Sequence, residues 1–200
     1  MRSRIVENLG DVPYDEFLVY LMGPYKSFSI EELVPDDVEF DTADGLLQSW
    51  DETDGTYDHD DVVATLRQVQ SALRTAPGLN AFLAVDIGID LDELDAATQT
   101  IEFARASNVV VFVVPAVGKN LGVGIEAGSV LADLNDAERE RVVFVHEEGV
   151  RSAMIQGIAR RWDAAVYSYG DESELVDCIR AFSSNIMYRE LRDDLDPKHR

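Results

Sequence analysis

A single cysteine, Cys178, stands in 200 residues. It excludes an intramolecular disulfide, and a lone thiol within a C-terminal helical pattern reads as core material in a reducing compartment. Histidine is nearly as scarce. His59, His146 and His199 are widely scattered and no Cys/His spacing suits a structural metal, so no metal site is expected. The only lysines are Lys26, Lys119 and Lys198, and arginine supplies the rest of the 17 basic residues. Against them stand 39 acidic residues, for a formal charge of −22. No basic stripe can form to release counterions from phosphates, so nucleic acid is not an expected partner. The longest apolar run, Val109 to Val117, is far too short for a bilayer, and Arg2 and Arg4 precede no apolar signal region. These absences predict a cytoplasmic protein with no membrane partner. Its acidic, lysine-poor surface is similar to those adapted to molar salt, where charge repulsion is screened over about 3 Å.

What is present is an alternation of apolar strands and amphipathic helices. Strand signals lie at Phe17 to Met22, Asn80 to Gly88, Val109 to Val114, Arg141 to His146 and Ala164 to Tyr169. Helical patterns fall between them at Asp60 to Ala76, at Asp92 to Ala106, from about Glu126 to Leu134 and at Ala153 to Trp162, and a last one starts near Glu172. The pattern predicts one α/β domain over residues 1–200. Its sheet is a doubly wound, flavodoxin-like, parallel one of five strands in the order 2-1-3-4-5, with helices on both faces. Residues 26–58 form an acidic stretch with one capping box from Ser29 to Glu32, compatible with a lid or with a disordered insertion. Residues 193–200 read as a polar tail.

In that order the topological switch point lies between strands one and three, and ligands bind beyond the carboxyl ends of the strands there. The two loops meeting at this crevice carry Gly23, Tyr25 and Lys26 on one side and Lys119, Asn120, Gly122 and Gly124 on the other, leading to Glu126. Glu126 is expected in the first turn of a helix, where backbone N–H groups favour a carboxylate, and Gly128 follows it. A carboxylate beside a sugar is what N-glycosidic cleavage needs, to bond the anomeric carbon or to stabilise its charge. Asp86, at the end of the second strand, lies on the same edge, and His146 could line it. Two of the three lysines, Lys26 and Lys119, fall in these loops, which predicts an anionic ligand. Gly122, Gly124 and Gly128 miss the dinucleotide fingerprint by one residue and follow the wrong strand; Gly118 and Lys119 lack the spacing of a P-loop. No cofactor is expected.

Tyr20, Gly23 and Tyr25 in the first region, and Gly122, Gly124, Glu126 and Gly128 in the second, resemble the signature regions of the nucleoside 2-deoxyribosyltransferase family over roughly residues 17–150. The resemblance implies that Glu126 attacks the anomeric carbon of a nucleoside with help from Tyr20, that a covalent glycosyl-enzyme forms, and that homo-oligomers complete the site. It places Asn120 where that family usually has one aspartate, and Gln99 or Thr100 about where it has another. An N-glycosidic hydrolase or transferase acting on a nucleoside or nucleotide is one reading. The alternative, favoured by Asn120 and Thr100, is a module on the same fold that binds or senses a nucleotide-like ligand without chemistry.

Overall fold

The computed structural model describes residues 1–23, 59–116, 120–150 and 153–198; the side chains of residues 59–61, 120–126, 153, 154, 156, 158 and 159 are outside that description. The acidic stretch 26–58, with its capping box, therefore lies outside the described residues, as do Tyr25, Lys26 and Lys119.

Five strands, β1 (Tyr14–Met22), β2 (Leu79–Phe82), β3 (Val109–Val114), β4 (Val142–Glu147) and β5 (Ala165–Tyr169), pair in parallel in the order β2-β1-β3-β4-β5. The expected topology is present. The central strand β3 is buried at all six positions, as a β-branched run covered on both faces must be. One face packs against α1 (Arg2–Leu9), α3 (Ala96–Ala106), α4 (Asn120–Asp133) and α6 (Ala153–Trp162), through Ile5, Phe103, Ala127, Val130, Leu131 and Ile155 among others. The other packs against α2 (His59–Thr75) and α7 (Glu172–Leu191), through Leu66, Val69, Leu73, Leu175, Ile179 and Ile186. A four-residue helix, α5 (Asp136–Arg139), links α4 to β4. Among the described residues no helix is long and apolar enough to cross a membrane.

Several boundaries differ from expectation, each for a local reason. The second strand stops at Phe82 rather than running on, because the Asp86 carboxylate accepts the Leu83 N–H at 2.8 Å and closes a 3-10 turn over Ala84–Asp86. α3 begins at Ala96, not near Asp92, because Asp95 caps it by accepting the Thr98 N–H at 3.0 Å. α1 was not signalled by periodicity, being only eight residues long; Ile5 and Val6 are its buried residues. The polar tail is not loose over residues 193–198. Leu195 is buried, and Arg141 donates to the Asp196 carbonyl at 2.5 Å.

Candidate functional site

The carboxyl ends of β1 and β3 lie side by side, with Met22 opposite Phe112. The next residue after β1, Gly23, is buried, and a Cβ there would stand 2.9 Å from Leu66 Cδ1. Packing of α2 thus crowds this position, where a methyl group would have to displace the end of the Leu66 side chain.

α4 departs from expectation in a way that matters chemically. It begins at Asn120, so Gly122 and Gly124 are helical rather than part of a loop, and Glu126 is the seventh residue of the helix. The physical reason is packing: Ala127, Val130, Leu131 and Leu134 form one buried stripe, which sets the helix in place despite the glycines. Glu126 therefore stands beyond the first turn, not in it as expected. The first-turn N–H groups belong instead to Asn120 through Val123, and the first turn itself carries no acidic residue. The side chains of Asn120 and Glu126 lie outside the described residues. Gly128 is half-buried, and no described atom comes within 4 Å of where its Cβ would be. Packing among the described residues does not require a glycine there.

Tyr20 lies opposite Phe82 on β2 and Val110 on β3, on the α4 face of the sheet. It is 1% exposed, its ring stacked on Phe82 at 5.0 Å and edge-on to Phe103 at 5.7 Å. The ring is part of the core. Asp86 is at the carboxyl edge, but its carboxylate accepts from Gln70 Nε2 at 2.7 Å, from Arg67 and from the Leu83 N–H. Three donors occupy it. Gln99, on α3, is buried and its amide donates to the Leu94 carbonyl at 2.6 Å and the Ile89 carbonyl at 3.2 Å, tethering the loop before its own helix. Thr100 is half-buried beside it.

One residue at this edge was missed. Glu147 ends β4, and its Oε2 accepts the N–H of Ala116, just beyond β3, at 2.8 Å. His146 precedes it, half-buried, with Nδ1 3.0 Å from the Glu147 carbonyl. The Tyr169 phenol is pushed up to about 12, first by burial and then by the negative charge of Glu147. The sequence signal was available: polar residues closing a buried strand at the edge where ligands bind. Ending the fourth strand at His146 hid it.

Among the described residues no three His, Cys, Asp or Glu side chains group so as to hold a metal ion. At the opposite edge of the sheet, Arg2, Arg105 and Lys198 line a depression of about 290 Å³ together with Glu102. Arg2 donates to the Ala106 carbonyl at 2.6 Å and Lys198 to that of Arg105, so these cations cap the carbonyl end of α3.

Residues 2–199 match the family described as Domain of unknown function (DUF7509), and the chain belongs to that family. No curated protein matches the chain.

Proposed function

We propose that this member of the DUF7509 family binds a nucleoside or nucleotide in the crevice at the ends of β1 and β3 and acts on its N-glycosidic bond, with Glu126 as nucleophile and Tyr20 behind it. The observation that carries the reading is topological. In the order β2-β1-β3-β4-β5 the switch point falls between β1 and β3, and α4, the helix bearing Glu126, follows β3 on the face that also holds Tyr20. The first turn of α4, free of acidic residues, supports an anionic ligand such as a nucleoside phosphate. Lys26 and Lys119 would add the compact charges that a −22 chain needs to admit one. The same reading includes a cytoplasm of high salt, a homo-oligomer, and no nucleic-acid or membrane partner.

A second reading has its own support. Tyr20 is core material, Gln99 is spent on a loop, and Asn120 stands where the resemblance calls for an aspartate, which together favour a binding or sensing module without chemistry.

The test is chromatography of base released from nucleosides and their 5′-monophosphates by the wild type and by Glu126→Ala. Release that disappears in the variant supports the nucleophile; equal release by both overturns it. Calorimetric binding of a monophosphate without release selects the module.

A further inference from the structure

We propose that Glu147 is a positioning residue of this site, a latch that holds Ala116 where the chain leaves β3. The inference rests on the reading above, in which α4 carries the working carboxylate. Strand register sets the geometry. Val114 pairs with His146, so Glu147 comes level with the end of β3 and reaches across to the first N–H after Pro115, which has none of its own. The two residues are 31 apart in the chain, so the bond is a tertiary choice rather than a local turn.

Glu147 is itself well anchored. It pairs with Tyr169 in the β4–β5 ladder, its carbonyl accepts the Val150 N–H at 3.2 Å, and the Glu148 N–H donates to the Tyr169 carbonyl at 2.8 Å. The backbone is clamped on both sides, so the side chain springs from a fixed point. The carboxylate's described hydrogen bond is with the Ala116 N–H, and a bond to a carboxylate is charge-assisted and stronger than a neutral one. Only three residues separate Ala116 from the start of α4 at Asn120. Holding Ala116 so close in the chain to Asn120 limits how far the start of α4 can shift, and displacements of about 1 Å at a reacting group can cost on the order of a hundredfold in rate.

The experiment compares wild type, Glu147→Ala and Glu147→Gln as full chains. Amide hydrogen exchange at Ala116, followed by NMR, reads the latch directly and needs no ligand. Exchange should quicken at least about tenfold in Glu147→Ala, and Glu147→Gln should restore most of the protection because its amide oxygen still accepts. Unchanged exchange at Ala116 in Glu147→Ala overturns the latch. On a nucleoside that the wild type turns over, Glu147→Ala should lower kcat by about ten- to a hundredfold and leave KM within about threefold, with Glu147→Gln largely recovering kcat. Quickened exchange with unaltered kcat overturns the positioning role. If the wild type binds a nucleoside monophosphate but releases no base, the nucleophile reading fails alone, and the positioning role is judged by affinity: a Kd unchanged in Glu147→Ala overturns it, and one about tenfold weaker supports it.

Discussion

Glu190→Ala should be among the most damaging single changes in this protein, because it strands a buried cation. Arg141, at the start of β4, is 3% exposed, and Glu190, near the end of α7, is 10% exposed; Nη1 and Oε1 are 2.5 Å apart. The carboxylate also takes both bonds from Asn108 Nδ2, at 3.0 and 3.2 Å, and Asn108 Oδ1 in turn accepts the Leu18 N–H at 3.0 Å. One acid thus ties α7 to the starts of β4 and β3 and, through Asn108, to β1. Truncating it leaves the Asn108 amide without this acceptor and the Arg141 charge uncompensated, with only the carbonyls of Asn108 and Asp196 still accepting from it in a dry place. Breaking a buried pair on one side costs about 3–5 kcal/mol. At about 2–4 °C per kcal/mol for a chain of this size, the melting temperature should fall by roughly 6–20 °C. The double replacement Arg141→Met with Glu190→Leu removes both charges and should return to within about 2 kcal/mol of the wild type. Urea unfolding followed by circular dichroism at fixed salt measures all three, and the single variant's loss should persist as salt is raised, since buried charges are poorly screened. The exposed pair Arg4–Glu93 should behave oppositely, its removal mattering little and less still in salt. A Glu190→Ala protein within about 1 kcal/mol of wild type would refute the reasoning, because it would mean that water reaches Arg141.

Three further outcomes are expected. Gly128→Ala should raise stability by about 0.5–1 kcal/mol, since a helix-interior glycine is costly and no described atom opposes the methyl group; if a ligand lies against this turn, its affinity should drop at the same time, and a destabilised variant would show the space to be filled. Lys198 is pushed down to about 8, chiefly by burial and then by the Arg141 charge, so between pH 8 and its ordinary 10.5 the unfolded chain binds more protons than the folded one. Stability from this group rises with pH across that window, and the melting temperature of the wild type should gain on that of Lys198→Met between pH 8 and 10; a constant gap would refute the assignment. Raising salt from about 0.1 to 1 M shortens the Debye length from about 10 to about 3 Å, so a chain of charge −22 should melt higher in the saltier buffer, and a flat response would count against adaptation to a high-salt cytosol.

The central architecture was legible in sequence because burial leaves a mark on every residue of an element. Six consecutive apolar positions at Val109–Val114 can only be a strand covered on both faces, and the observed strand has those ends. Strand–helix alternation then restricts the sheet to parallel pairing with few possible orders. The site was less legible. Tyr20 carries the same letter whether it faces a ligand or a core, and only its packing between Phe82 and Phe103 puts the ring inside. Asp86 at a strand end reads as a ligand group until Arg67 and Gln70 arrive from a helix that precedes it in the chain.

Periodicity and composition by themselves determined the fold class and the acidity of the chain, and narrowed the strand order to the few that right-handed crossovers allow, since each follows from residue types read along the chain. Tertiary structure decided the rest. It extended α4 back through Gly122 and Gly124, because burying the stripe from Ala127 to Leu134 outweighs the local cost of two glycines. It brought Glu147 to Ala116 and Glu190 to Arg141, contacts across 31 and 49 residues whose partners are chosen by strand register and helix packing, which no short window of sequence contains.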